Sequence, residues 1–507
     1  MDDQIRRRKL LKRNTLTALL YQICTITCGF ILPRLILKSF GSEVNGLVNS
    51  ITQFLGVISF LELGVGSVVQ SALYKPLAER DKAQVSRIMA SAQKFFSRLA
   101  AILFGYALLL MALYPLLASN SFGFVYTAAL IGAISISSFA QYYFGVTNQL
   151  LLNADQRGYI NYLTQTGTLL LNTAASAALI HLGGSIHAVK LTTSLIYLIR
   201  PFMLNLYVHQ HYSINHKIAY QGEPITQKWN GIAQHIAAVI LDGTDYIVLT
   251  ALADFSAVSI YSVYHLVTNG IKQMMLSMTK GIQSLLGELW ARQELDTLRQ
   301  TFSWTDWLLH TSTTLIFSIT GILLVPFVRV YTSGITDTNY IQPLFAILLV
   351  TATAGHCLRL PYNLMILACG HYQQTQSNHI IAAGMNLLIS IVTVKWLGLV
   401  GVAIGTLAAM LYQTVWMAYY NSKNLIFWPF RCFVKQLAVD CGTAIVMWLV
   451  TKPLSLTAIS YVAWIVLAVE VSLISIVICV VFNAIFYKDK MFQLICAARE
   501  RLKRGKK

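Results

Sequence analysis

The chain has 507 residues, of which 56% are hydrophobic and only 11% charged, and its formal net charge is +18. Soluble domains carry about 25% charged residues, so an ordinary water-soluble class is excluded. In so apolar a chain the basic excess reads as a signal of membrane topology rather than of nucleic-acid binding.

Apolar runs long enough to cross a hydrocarbon core of about 30 Å recur along the whole length. In chain order the predicted spans cover 15–38, 44–72, 95–117, 122–147, 162–182, 187–208, 229–250, 257–280, 304–328, 341–367, 378–396, 398–418, 434–451 and 458–486. In lipid every backbone polar group must bond within its own element, and no run alternates as a barrel strand does, so each span is expected to be a helix. The fold class is therefore all-α: a polytopic membrane protein with fourteen transmembrane helices. The first run is too long for the apolar part of a cleaved leader and lacks a small-x-small site after it, so it is expected to stay as a helix.

With the amino terminus in the cytoplasm, most bases fall inside. The first tail holds Arg6, Arg7, Arg8, Lys9, Lys12 and Arg13, and a second basic cluster follows span 2. The last tail is also basic, whereas Lys38, Lys190, Arg329, Lys395 and Lys452 fall outside. This asymmetry orients the protein with both termini cytoplasmic, where the tails meet anionic membrane lipid. The eight cysteines show neither metal-ligand nor redox spacing and read as small apolar helix residues.

An internal repeat emerges at an offset of 214 residues. "LLLNADQRGYINYLTQTGTLLLN" at 150–172 aligns with "LMILACGHYQQTQSNHIIAAGMN" at 364–386, bringing Ala154 onto Ala368, Asn172 onto Asn386, Gly184 onto Gly398 and Thr192 onto Thr406. The implied organisation is a basic cytoplasmic tail (1–14), an N-lobe of spans 1–6 (15–208), a cytoplasmic inter-lobe loop (209–228), a C-lobe of spans 7–12 (229–418), two further helices (434–486) and a basic cytoplasmic tail (487–507). Two related six-helix lobes around a shared cavity is a transporter architecture.

Charges placed within the spans are the candidates for function, because each costs at least about 2.5 kcal/mol at the bilayer centre unless partnered or wet. The basic set is Arg34, Arg200, Lys272 and Arg359; the acidic set is Glu62, Asp242, Asp245 and Glu470. Lys272 lies about 12 Å from the inner end of span 8 at 1.5 Å per residue. It shares one helix face with Tyr261, Tyr264, His265 and Thr268, and span 2 has a comparable stripe containing Asn45 and Asn49. Such a face lines either water or a packed neighbour. Arg200-Pro201 and Arg359-Leu360-Pro361 put arginines beside expected helix kinks, and Arg34, one turn from Lys38, either faces the interior or reaches the outer interface. Asp242 and Asp245 share one face of span 7, suited to a coupling proton or sodium ion or to a salt bridge with Lys272. Glu62 and Glu470 have no assigned role. Several fixed cations around one chamber suit an anion, and guanidinium matches phosphate oxygens.

No enzyme signature competes. The outer loops are too short for a folded catalytic domain, which argues against a membrane polymerase or ligase, and the inner loops hold no nucleotide fingerprint. His209, His211 and His216 lack the carboxylate or cysteine partners of a metal site, and no cofactor is expected. The motifs "LPRLILKSFGSEVNGLVNSITQFL", "LELGVGSVVQSALYKPLAERD" and "GLVGVAIGT" resemble the polysaccharide transport family of lipid-linked oligosaccharide flippases, within the multidrug/oligosaccharidyl-lipid/polysaccharide exporter superfamily. The resemblance spans nearly the whole chain. It implies a flippase in the bacterial cytoplasmic membrane that turns undecaprenyl-diphosphate-linked repeat units outward by alternating access, for exopolysaccharide, capsule or O-antigen assembly. It also implies a cationic cavity, with Arg34 in the recognisable span 1 motif, and pathway partners such as a polymerase and glycosyltransferases. The acidic pair on span 7 and the histidine-rich loop depart from that pattern. A peptidoglycan-precursor flippase and a multidrug/cation antiporter of the same superfamily are the alternatives.

Overall fold

The computed structural model describes residues 2–57, 60–118, 121–215, 232–427, 429–494 and 496. It is all-α, without a strand among the described residues. In chain order the helices are α1 (Asp2–Gly56), α2 (Phe60–Glu79), α3 (Lys82–Leu117), α4 (Phe124–Ala140), α5 (Val146–Ala154), α6 (Gly158–His181), α7 (Ile186–His211) and α8 (Ile232–Leu252). There follow α9 (Phe255–Ala291), α10 (Leu295–Tyr331), α11 (Pro343–Leu358), α12 (Leu360–Ala368), α13 (Tyr372–Leu397), α14 (Leu399–Asn424), α15 (Phe430–Thr451) and α16 (Tyr461–Phe486). Among the described residues, ten helical segments are long and apolar enough to cross a membrane, and the described part of every predicted span is helical apart from a few residues at span ends and the break at Arg359.

Helix ends differ from the predicted ones because hydropathy marks where lipid begins, not where a helix stops. The basic stretch after span 2, expected as a loop, is helical almost throughout. It is broken only at Arg80, whose φ is +58°, and restarted at α3, where the Asp81 carboxylate accepts from Gln84 N at 2.9 Å. Likewise α9 runs on to Ala291 and α10 begins at Leu295. Residues 2–14 of the expected tail form the start of α1. Within α1 the chain turns at Gly41, where φ +83° suits glycine, while Pro33 lies inside continuous helix. The expected kink at Pro201 produces no break in α7. Most of the inter-lobe loop (216–228) and the end of the basic tail (497–507) lie outside the described residues.

The offset of 214 reappears in the helices themselves. α5 and α12 have both bounds displaced by this amount, and α6 and α13 start in register. The turn before each has a residue with positive φ, Gln156 at +58° and Gly370 at +74°. Ser176 Oγ donates to Asn172 Oδ1 at 3.2 Å in α6, and Ser390 Oγ donates to Asn386 Oδ1 at 3.1 Å in α13. The helix before α5 contains a π-helical turn, Gln141–Gly145. At the matching place in the second half the helix breaks at Arg359, between α11 and α12. Pro361, lacking an N–H, denies Cys357 O its helical partner there.

The chain divides into two compact units, Met1–Ser259 and Ile260–Lys507. This border lies beyond the 209–228 segment suggested by the repeat, because α8 packs on α1 and α2. In the first unit a cluster including Val69, Met89, Phe96, Leu151 and Leu204 ties α2, α3, α5 and α7 together. A second cluster joins α1, α3 and α4 around Leu47, Ile51, Tyr114 and Ile131. Asn14 of α1 pins the α5–α6 turn: its Nδ2 donates to Gln156 O and its Oδ1 accepts from Tyr159 N, both at 2.7 Å. Asn14→Ala is expected to cost about 1–2 kcal/mol, read as a lower midpoint of thermal unfolding in detergent. An unchanged midpoint would show that the clasp carries no stability.

In the second unit α15 and α16 pack on α10, and Leu323 of α10 is buried in one cluster with Leu467 and Val471 of α16. α13 and α14 lie close because Gly401 and Gly405 are spaced four apart on one face of α14. A Cβ on Gly401 would come within 2.6 Å of Thr393 C, and one on Gly405 would meet Ser390 Oγ and stand 2.9 Å from Asn386 O. This is the small-xxx-small packing of membrane helices, and it gives the "GLVGVAIGT" segment a structural reason.

Candidate functional site

In the second unit, basic side chains converge beside the helix break. Arg359, at the break itself, is 8% exposed, and Lys272 of α9 is 7% exposed. An Arg359 terminal nitrogen lies 2.9 Å from His356 Nδ1. Arginine can only donate, so His356 Nδ1 accepts and the proton of a neutral ring is on Nε2. Lys272 and His379 of α13 also act electrostatically on His356, and Lys272 and Arg359 both act on the Cys357 thiol. His379 is buried, with Nδ1 3.0 Å from Gln413 Nε2 on α14. Two basic side chains and two imidazoles therefore gather from α9, α11, the break and α13. Sequence reasoning put forward Lys272 and Arg359 but missed His356 and His379, which add nothing to a charge count.

The polar face of α9 divides along its length. Tyr264 is fully buried; its hydroxyl donates to Tyr340 O at 2.7 Å and accepts from Gln342 N at 3.0 Å, anchoring the segment that leads into α11. Thr268 is also fully buried and bonds Tyr264 O in its own helix. Tyr261 is buried and stacks on half-buried His265, with ring centroids 5.4 Å apart. Tyr261, Tyr264 and Thr268 thus occupy a packing face, and Lys272 one to three turns further on belongs to the basic group.

Arg200 in the first unit has its own polar setting. Its Nε donates to Thr168 Oγ1 at 2.6 Å, and its guanidinium lies 4.1 Å from the centroid of the Tyr197 ring. Tyr197 in turn meets Asn172, which binds Ser176. The arginine is half-buried and offers its remaining donors beside an aromatic face. Arg34 is half-buried on α1.

The stripe on span 2 is largely a joint. Asn45 is 3% exposed, and its Nδ2 donates to Ser259 Oγ at 2.7 Å. Asn49 Nδ2 donates to Asn45 O at 2.8 Å. Ser50 Oγ lies 2.6 Å from both Thr250 Oγ1 and the Tyr114 hydroxyl, so buried bonds tie α1 at one point to the start of α9 and at another to α3 and α8. Asp245 is buried on α8, whereas the side chains of Asp242 and Glu62 lie outside the described residues. Glu470 is exposed on α16.

A second missed group is acidic. Asp306, His310 and Asp440 are each at most 8% exposed. Asp306 and His310 are four apart on α10, a spacing that an inspection of charged pairs within apolar helices would have found. Both carboxylates lie near the starts of their predicted spans, where a charge attracts little notice.

Neither a protein-family profile nor a curated relative matches the chain. Among solved structures, the chain is similar to the lipid II flippase MurJ in an inward closed conformation, with 14% identity and a TM-score of 0.71 over 94% of this chain and 99% of that one. An inward-facing MATE family multidrug resistance transporter of the MOP superfamily gives 15% identity and a TM-score of 0.61 over 78% and 94%. An outward-facing MATE family transporter gives 14% and 0.56 over 85% and 96%. At these identities the likeness is one of fold.

Proposed function

We propose that the protein is a flippase for a saccharide carried on a lipid diphosphate, working by alternating access in a bacterial cytoplasmic membrane with both termini inside. The observation that carries this reading is the convergence of Lys272, Arg359, His356 and His379 in one unit. A guanidinium and an ammonium replace part of the hydration of a diphosphate, and neutral imidazole N–H groups donate to its oxygens. Arg200, half-buried against Tyr197, is a second anion or sugar contact, since guanidinium and aromatic faces both suit such groups. Asp245, with Asp242, is the candidate for the coupling proton or sodium ion. Fold likeness to a lipid II flippase over nearly the whole chain supports a lipid-borne cargo. It favours a peptidoglycan-precursor lipid over the exopolysaccharide repeat unit that the sequence motifs imply; for the latter, a polymerase and glycosyltransferases would be the partners.

The test is a vesicle assay with the purified full chain. Fluorescent polyprenyl-diphosphate saccharides, one of the lipid II type and one oligosaccharide repeat unit, are expected to cross and become accessible at the opposite leaflet. A monophosphate analogue is expected to move at least about 10-fold more slowly, as the loss of one charged contact predicts. Whichever saccharide is faster names the cargo. Accumulation of a lipophilic cationic dye without lipid movement would replace this reading with that of a multidrug antiporter.

A further inference from the structure

The acidic group of the second unit surrounds a buried imidazole. His310 of α10 is fully buried, with Nδ1 2.7 Å from Asp440 Oδ2 on α15. Its Nε2 is 3.5 Å from Asp306 Oδ1 and 3.4 Å from the Tyr362 hydroxyl on α12, and the ring also bonds the Leu358 main chain at the end of α11. Both ring nitrogens therefore face acceptors. A neutral imidazole has one N–H and satisfies one of them; an imidazolium satisfies both.

The surrounding charges favour the same state. Gln436 Nε2 donates to Asp440 Oδ1 at 3.2 Å, and Tyr362 bonds Asp306. Asp306 Oδ1 makes no hydrogen bond among the described residues. From the segment after α16, Lys490 acts on Asp306, and Tyr487 interacts with both carboxylates. Cys479 of α16 and Cys441 of α15 interact with Asp440, and Lys435 and Cys432 act on Lys490. Burial lowers the Lys490 ammonium to about 8, so below that pH it is largely charged and offsets one carboxylate. The second carboxylate needs the imidazolium, because an uncompensated buried charge is costly.

We infer that His310 is a proton-binding site whose imidazolium, held between Asp440 and Asp306, ties α15 to α10. Deprotonation passes the Nε2 proton by way of Asp306 to water in a narrow cavity with room for about one molecule, lined by Asp306, Tyr362, Asn421, Ser422 and Pro429. The Tyr362 hydroxyl then turns from Asp306 to donate to Nε2. Since Tyr362 and Leu358 flank the break at Arg359, proton occupancy is felt where the cationic group is assembled.

The test is the nitrogen NMR of the full chain with 15N-labelled histidine, titrated between about pH 5 and 8 in lipid nanodiscs. One imidazole is expected to stay doubly protonated after the exposed histidines have lost their protons, and to be missing from His310→Gln. In Asp440→Asn, which keeps the shape, that resonance is expected to titrate at least about one pH unit lower, identifying it even if the glutamine variant fails to fold. A His310 that is already neutral at about pH 6, or one unmoved by Asp440→Asn, would overturn the inference. Both readouts are independent of cargo, so this site and the transport reading fail separately.

Discussion

Lys272→Met is expected to reduce translocation of a lipid-diphosphate saccharide by about 10- to 100-fold, the loss of one charge-assisted contact of about 1.5–3 kcal/mol. Methionine keeps the length and the apolar stem, so packing on α9 is preserved. Removing one of several like charges near His356 relieves a repulsion, which compensates the fold for the missing ammonium. The thermal midpoint is therefore expected to hold within a few degrees. Arg359→Lys is expected to fall between the wild type and Lys272→Met, because it retains the charge but not the two-pronged geometry. A variant that transports normally would remove Lys272 from the site. One that transports poorly and also melts far below the wild type would make it scaffolding.

Gly46→Ala is expected to be the most damaging of the single-methyl changes. A Cβ there would run into the main-chain oxygen of Phe255 and stand 2.6 Å from its carbonyl carbon. Main chain on both sides leaves no flexible side chain to yield, so the joint between α1 and the start of α9 must open. Overpacking of this kind costs about 1–3 kcal/mol and more where the backbone itself is struck. The neighbouring bonds, Asn45 to Ser259 and Ser50 to Thr250, would be strained together. Gly29→Ala is the control: a Cβ there meets nothing within 4 Å, and alanine gains about 0.5–1 kcal/mol of helix preference. Equal midpoints for the two variants would refute the close approach.

These two predictions draw unequally on what the sequence displays. Lys272 was visible because an ammonium in an apolar run is conspicuous, and Arg359 because an arginine beside Pro361 is doubly so. Gly46 carries no local signal: glycines at 29 and 46 look alike until a neighbour 209 residues away is found against one of them. Tyr264 and Thr268 share the face of Lys272 by periodicity, yet they turn out to anchor α11 and its own helix. Periodicity assigns a face; it does not say what that face meets.

The amino-acid sequence alone determined that lipid is the solvent, that the backbone must be helical, and that the second half repeats the first at an offset that later proved to match helix ends such as Ala154 and Ala368. Those properties are local or additive: hydropathy sums over about 20 residues, and a repeat is read position by position. The tertiary structure decided the rest. His356 and His379 joined the cationic group, His310 came between Asp306 and Asp440, and α8 packed with the first unit. Each of these depends on which helices lie side by side, and side chains more than 100 residues apart in the chain meet only once packing has chosen their neighbours. An imidazole, conspicuous in no composition or charge count, acquires its role at that step.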